Sequence, residues 1–211
     1  SICAHILKLG AAPFGLTLLP EVSTVVNNIS LSYYGGETAL AAYAVIAYVA
    51  FFVQIMIQSV GDGSQPLISV YRGAGDADAV RRLRNTNYLV AIAFGFVGLG
   101  IMFAVRNAIP LLFGASDIVK PVIAYALPVF SICYIFYGFT HTTTSYFYAV
   151  DDSRSSNTLV IAEAIIVCVV VFIMGLLFQV DGIWFSPTVL QMLLCIIAGT
   201  LLYRRHKAQK E

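Results

Sequence analysis

The sequence predicts an all-α polytopic membrane protein with six transmembrane helices. Of its 211 residues, 59% are hydrophobic and only 11% are charged, whereas soluble domains contain about 25% charged residues. Apolar runs of about 20 residues recur along the chain, and each is long enough to cross a bilayer as a helix. Short polar breaks separate these runs, so consecutive helices should cross the membrane in alternating directions.

The six predicted spans form a single transmembrane lobe over residues 1–211. Their approximate bounds are residues 6–31, 39–60, 87–106, 120–148, 158–178 and 183–203. The breaks between them are rich in Gly, Asp and Arg, which are typical of turns. Gly61, Gly63 and Pro66 follow the second span, and we expect them to interrupt regular helix there.

The distribution of positive charge predicts the orientation. Lys and Arg concentrate in the short cytoplasmic loops of membrane proteins. If the chain starts inside, only Arg106 and Lys120 fall outside, while the basic loop at residues 72–86 and the tail at residues 204–211 are cytoplasmic. We therefore expect a multi-pass protein of the cell (inner, plasma) membrane with both ends in the cytoplasm. A nucleic-acid-binding loop is disfavoured, because the loop is short and contains Asp76 and Asp78.

The first span carries one acid within an apolar segment. Thr17, Glu21, Thr24 and Asn28 recur at helical spacing and share one face. A charge at mid-bilayer costs at least about 2.5–3.5 kcal/mol, so Glu21 should face a cavity or a partner. Pro20 should kink this helix and leave a backbone carbonyl free. These oxygens suit a proton or a transient sodium ion; alternatively, Glu21 stays protonated and hydrogen-bonded in a packed interface.

The second and fourth spans also carry polar faces. On the second span the polar face contains Gln54, Gln58, Asp62 and Gln65. The fourth span has polar and aromatic groups at three- and four-residue spacing, namely Tyr134, Tyr137, His141, Ser145 and Tyr148. We expect Gln54, Gln58 and Tyr134 to line a substrate cavity with Thr17, Thr24 and Asn28. His141 is a candidate proton site or, alternatively, a hydrogen-bonded interface residue.

The fifth span contains one further acid, Glu163. It lies about one and a half turns from the expected cytoplasmic end of the span. We expect it to pair with Arg154 or with an Arg of the basic loop, and so to have a structural role. No cofactor is predicted, and the only metal considered is the transient sodium ion at Glu21.

The segment after the second span resembles the signature of multidrug and toxic compound extrusion (MATE) transporters. Gln65-Pro66-Leu67-Ile68, Tyr71, Gly73-Ala74 and Val80-Arg81-Arg82 agree with that signature in order and spacing. The chain from Leu9 to Tyr43 resembles the start of the second half of the family, and Asp181-Gly-Ile-Trp184 resembles the start of its last helix. The resemblance implies one lobe of a twelve-helix, inverted-V transporter made of two six-helix lobes. The N-terminal lobe is expected to lie outside this sequence.

The resemblance also implies a function. This is secondary active efflux of cationic or amphipathic organic compounds, by proton- or sodium-coupled antiport with alternating access. The implied partners are small organic cations, the lipid bilayer and the N-terminal lobe of the same transporter, with no nucleic acid. Glu21 matches the acid of the seventh helix of the family. Tyr137 stands where some sodium-coupled members carry Asp on the tenth helix, which favours proton coupling over a two-carboxylate sodium site.

Two other functions remain as alternatives, although no enzyme is expected. A lipid-linked saccharide flippase of the same superfamily would need a cationic cavity, but the interior of the six spans, away from their ends, contains no Lys or Arg. A membrane-embedded transferase would need a catalytic constellation, for which His141 with Asp151 and Asp152 is the candidate.

Overall fold

The computed structural model describes residues 21–208, and this part of the chain is helical throughout, apart from short turns. Its helices are α1 Glu21–Gly73, α2 Ala77–Val105, α3 Ile109–Leu112, α4 Val119–Ser131, α5 Cys133–Ala149 and α6 Ser153–Ala208. In this part of the chain α1, α2 and α6 are each long and apolar enough to cross a membrane. If the bent pair of α4 and α5 is counted as one span, there are four such elements in the described residues. The predicted kink at Pro20 lies outside the described residues.

Both long helices fold back on themselves at one residue. In α1 the non-helical residue is Gly36, with φ 62° and ψ −158°, a backbone conformation that is essentially restricted to glycine. Glu21 and Gln58 lie on opposite sides of this turn yet line the same cavity. In α6 the turn is at Gln179, with φ 52° and ψ −130°, and it brings Gln191 within 3.2 Å of Glu163.

The predicted fourth span is divided in two by a bend. The axes of α4 and α5 differ by 41°. Pro128 lies inside α4, where its missing N–H weakens the helix. Next to the bend, the backbone N–H of Ile132 donates to the carbonyl of Val129, three residues earlier. Side chains before and after this bend therefore do not share one continuous helical face.

The predicted interruption at the end of the second span is wrong. Helix α1 continues through Gly61, Gly63 and Pro66 to Gly73. The hydroxyl of Ser64 donates to the carbonyl of Gly61 at 2.7 Å, which adds a side-chain bond within the same turn.

Helix α2 begins directly after a short turn and combines two predicted elements. The Asp76 side chain accepts a hydrogen bond from the backbone N–H of Ala79 at 2.8 Å and so caps its N-terminus. The helix then runs from Ala77 to Val105 without a break. Most of the predicted basic loop at residues 72–86 and the third span are therefore one element.

The interior is filled by large apolar and aromatic side chains. Tyr43 lies between Phe130 and Trp184, with ring centroids 6.2 and 6.4 Å away. Helices α2 and α5 cross closely at Gly95, where an added Cβ would lie 2.6 Å from the backbone oxygen of Tyr134. Many large apolar side chains are instead exposed, among them Phe52, Phe96, Phe172, Leu176 and Phe178. Such an apolar exterior is typical of a surface that faces lipid.

An ion pair joins the turn before α6 to the last turns of the same helix. Asp152 Oδ2 lies 2.7 Å from Arg205 Nη1, and Asp152 Oδ1 accepts from the backbone N–H of Ser155 at 3.2 Å. Partial burial opposes ionisation of the Asp152 carboxyl. Hydrogen bonds from Ser155 and Arg205 outweigh it and hold the pKa of Asp152 below its ordinary value. The charged group therefore fixes both ends of α6 at one end of the lobe.

Candidate functional site

A central cavity of about 310 Å³ lies between the two halves of α1, α5 and the two halves of α6. Five of the predicted site residues line it: Glu21, Thr24, Gln54, Gln58 and Tyr137. Thr17, which was predicted to belong to the same face, lies outside the described residues. The cavity therefore gathers the polar faces of separate helices, as the sequence predicted for most of these side chains.

A second cavity of about 260 Å³ adjoins the central one. It extends along α5 past His141 to Tyr148 and along the first part of α6. Gln58, Tyr137 and Glu163 line both cavities. These three side chains mark the junction of the two cavities.

Hydrogen bonds fix the polar groups at the junction. The amide nitrogen of Gln58 donates to the hydroxyl of Tyr137. On the opposite side, the amide nitrogen of Gln191 donates to a carboxyl oxygen of Glu163 at 3.2 Å. The amide oxygen of Gln191 accepts from the Thr140 hydroxyl at 2.6 Å. The Thr140 bond orients the amide of Gln191, so its NH₂ group points towards Glu163.

His141 pairs with an acid that the sequence analysis did not assign to it. His141 Nε2 lies 3.2 Å from Asp62 Oδ1, and Ser145 Oγ donates to the same oxygen at 2.8 Å. The predicted partner Asp152 instead binds Arg205. The hydroxyl of Ser145 donates to a carboxylate rather than to the imidazole, so this cluster lacks the nucleophile–base contact that a hydrolase or transferase triad requires.

Two residues predicted for the substrate cavity lie elsewhere. Asn28 lines a shallow open depression with Ile29 and Tyr33, and Asn27 lies in the central cavity in its place. Asn27 and Asn28 lie at i+3 and i+4 from Thr24, to either side of it, and the lining residues Ser23, Thr24 and Asn27 place the cavity on the Asn27 side. Tyr134 is fully buried and lies against Gly98 of α2. Tyr134 and Tyr137 both belong to α5, and three residues of helix separate their directions by about 60°, so Tyr134 faces α2 while Tyr137 lines the cavity.

The predicted ion pair of Glu163 is wrong. Among the described residues its side chain forms no ion pair and is hydrogen-bonded to Gln191. Helix α6 begins at Ser153, so Glu163 lies about 15 Å along the helix rather than near its start. Arg154 is too far along the axis to reach it. Gln191 was not predicted as a site residue, although a glutamine inside the apolar last span is a signal for one.

The residues of the signature segment lie at the end of α1 and the start of α2. Gln65 donates to Asp62 Oδ1 at 3.1 Å, and Pro66 lies inside the helix without ending it. Gly73 is the last residue of α1. Arg81 binds Asp78 at 2.7 Å on the surface of α2. Gln65 thus contacts the His141 cluster through Asp62, whereas Arg81 belongs to a local surface pair.

The side chains that line the two cavities include acidic residues but no Lys or Arg among those described. Glu21 lines the central cavity and Glu163 lines both, while none of the described lining residues is Lys or Arg. Residues 21–208 contain no group of three or more His, Cys, Asp or Glu side chains placed to hold a metal ion. This arrangement suits a cation or a proton held by one carboxylate at a time, together with neutral oxygens.

Comparison with known proteins places these features in a family. The MatE family model matches residues 16–174. The multidrug export protein MepA of Staphylococcus saprophyticus is 22% identical over 202 residues, which are 96% of this chain and 44% of that protein. MepA of Staphylococcus aureus strain NCTC 8325 is 23% identical over 203 residues, with coverage of 95% and 44%. The chain therefore spans less than half the length of these relatives.

A solved structure shows the same fold. It is a MOP superfamily transporter from Pyrococcus furiosus, described as having a binding pocket of reverse polarity that suggests a different function. The TM-score is 0.88 at 15% identity, and the match covers 98% of this chain and 47% of that one. At this identity the likeness concerns the fold alone.

Proposed function

This chain belongs to the MatE family, and we propose that it forms one six-helix lobe of a transporter that exports cationic or amphipathic organic compounds. Export is by antiport against protons or sodium ions, with alternating access. The observation that carries this proposal is the central cavity, which combines Glu21 with neutral polar and aromatic groups and has no Lys or Arg among its described lining residues. An organic cation is stabilised in such a cavity, whereas an anionic head group is repelled.

Helix lengths support the proposed six spans. A straight helix with the 53 residues of α1 would be about 80 Å long, whereas the apolar core of a bilayer is about 30 Å thick. The turns at Gly36 and Gln179 divide α1 and α6 into two spans each. Together with α2 and the α4–α5 pair, they give six.

The proposed orientation rests on the location of basic groups. Arg84 and Arg205 both lie over the ring of Tyr146, at 5.4 and 5.8 Å from its centroid. The end of the lobe that contains them is assigned to the cytoplasm, because positive charge favours that side. The proposed location is the cell (inner, plasma) membrane.

The whole transporter requires a partner lobe. The relatives are more than twice as long as the matched segment, so we assign the remaining half of the substrate pathway to an N-terminal six-helix lobe of the same transporter. Movement of the two lobes between inward-open and outward-open packings then exposes the substrate pathway, which includes the central cavity of this lobe, to one side of the membrane and then to the other.

Glu21 is the proposed coupling residue. A proton or sodium ion at its carboxylate neutralises the charge that attracts a cationic substrate, so ion and substrate compete. Such competition supplies the difference in affinity that an exchange cycle needs. Tyr137 and the oxygens of Thr24 and Asn27 lie in the same cavity and complete the proposed site.

The test compares Glu21→Gln with Glu37→Gln in the full-length transporter. Glu37 is an exposed acid on the same helix and is absent from the lining of both cavities, so it is a matched control. We expect Glu21→Gln to abolish ion-driven ethidium efflux from cells or proteoliposomes, while Glu37→Gln keeps it. Imposing a proton gradient and a sodium gradient separately identifies the coupling ion. Unchanged efflux and unchanged dependence on both gradients in Glu21→Gln would show that Glu21 is not the coupling residue.

A further inference from the structure

Glu163 is the acid that the proposed exchange at Glu21 leaves unexplained. It lies about 15 Å along α6 from Ser153, within an apolar stretch of that helix. Its side chain is partly buried and, within the described residues, accepts a single side-chain hydrogen bond, from Gln191. A carboxylate in such an apolar stretch without a basic partner has to be neutralised by a proton or a bound cation.

The position of Glu163 between the cavities distinguishes it from the other titratable groups. The groups that line the cavities with it are Glu21 and Tyr43 of α1, and Cys133, Tyr137, His141 and Tyr148 of α5. Asp62 of α1 reaches the imidazole of His141. Glu21 lines only the central cavity and His141 only the second. Of the three residues that line both, Gln58 is a neutral amide and Tyr137 a phenol, and Glu163 alone carries a carboxyl group.

From this geometry, and resting on the proposed function, we propose that Glu163 is a second proton-binding carboxylate of the transport cycle. When the organic cation occupies the central cavity, a proton leaves a carboxyl oxygen of Glu163, and the carboxylate keeps that electron pair and the negative charge. The proton passes through the cavity beside His141 to the cytoplasmic solution. Rebinding of a proton at the same oxygen restores the neutral acid and weakens cation binding.

The neighbours of Glu163 are suited to both states. The NH₂ group of Gln191 is a donor, and a carboxyl group accepts from it whether neutral or ionised. Because the Thr140 hydroxyl occupies the amide oxygen of Gln191, the amide is held in the donating orientation. The site therefore gains or loses a proton without rearrangement of its supporting side chains.

The experiment measures how many protons are released for each bound dye cation. Ethidium affinity of the purified full-length transporter is measured by fluorescence over about pH 6 to 8, and the slope of log Kd against pH gives the proton count. We expect Glu163→Gln to bind ethidium with a slope smaller by about one proton than the wild type. Glu163→Asp should keep the wild-type slope, and Asp181→Asn, which changes an exposed acid of the same helix, should also keep it.

Several outcomes would overturn the proposal, and each is separable from failure of the proposed function. A wild-type slope in Glu163→Gln shows that Glu163 binds no coupled proton. If ethidium binding to Glu163→Gln no longer depends on sodium while its pH slope is unchanged, the site binds sodium and not a proton. If the wild type itself neither binds nor exports ethidium, the proposed function fails instead.

A second variant covers the case in which Glu163→Gln does not give monodisperse protein. Gln191→Leu removes the hydrogen bond to Glu163 but keeps the carboxyl group. It should move the midpoint of the pH dependence of ethidium binding. An unchanged midpoint contradicts the proposal.

Discussion

The crossing of α2 and α5 can be tested by adding one methyl group. In Gly95→Ala the new Cβ would lie 2.6 Å from the oxygen and 2.9 Å from the carbon of the Tyr134 carbonyl. Optimal contacts between carbon atoms are about 3.5–4.0 Å, and a backbone carbonyl cannot rotate away from the clash. The helices must separate, at a cost of about 1–3 kcal/mol.

A matched variant on the same helix isolates this cost. A Cβ added at Gly100 would have no atom within 4 Å. Both substitutions gain about 0.5–1 kcal/mol of helix propensity, so the difference between the two variants measures the clash. For a chain of this size, 1 kcal/mol corresponds to about 2–4 °C in Tm, and we expect Gly95→Ala to melt about 2–12 °C below Gly100→Ala.

The assay is thermal unfolding of the purified full-length transporter in detergent, followed with a thiol-reactive fluorophore. Cys133 is buried, whereas Cys168 is exposed and reacts in the folded state, so Cys168 is replaced by Ser in both variants, and the rise in labelling on heating then reports exposure of the remaining, more buried thiols. We also expect Gly95→Ala to impair ethidium efflux, since α5 carries Tyr137 and His141. Equal melting temperatures for the two alanine variants would refute the close crossing.

Two further predictions concern the ends of the helices. Because the pKa of Asp152 is lowered in the folded state, its contribution to stability is complete above its ordinary pKa of about 3.8 and is lost as the pH falls below that value. Asp152→Asn retains the helix cap but weakens the contact with Arg205, so we expect it to lower the free energy of unfolding at pH 7 by about 1–3 kcal/mol and to reduce the loss of Tm on acidification. The exposed neighbour Asp151→Asn should change neither quantity. Identical pH profiles of Tm for Asp152→Asn and the wild type would contradict this prediction. At the two fold-back turns the backbone has positive φ, which favours glycine. Gly36→Ala should therefore lower the free energy of unfolding by about 1–3 kcal/mol, whereas Gln179→Gly should raise it. A Tm shift in the same direction for both variants would show that backbone strain is not the cause.

The helical architecture was predictable because it depends on properties that are local in sequence. Apolar runs and polar breaks indicated where helices end, and the turn at Gly36 falls within the predicted break after the first span. The predicted break near Pro66 failed for the opposite reason. In this region α1 packs against α5, where a Cβ added at Gly61 would lie 2.9 Å from Ser145 Oγ, and composition does not reveal such a tertiary contact.

The composition of the site was predictable only along single helices. The spacing of Thr24, Gln54 and Gln58 places each on an inward face, and the structure brings them to one cavity. Glu163 and Gln191 were not linked, because their contact depends on the fold-back at Gln179. A short helical pattern cannot show how two segments of one long helix align.

The two fold-back turns also connect the two acids of the cavities. A Cβ added at Gly35, beside the first turn, would lie 3.0 Å from Val180 Cγ2, beside the second. The turn that positions Glu21 therefore packs against the turn that positions Glu163 relative to Gln191. Gly36 and Gln179 both have positive φ, so the two strained turns lie side by side. This contact links α1 and α6 at the end of the lobe, away from the cavity that Glu21 and Glu163 line.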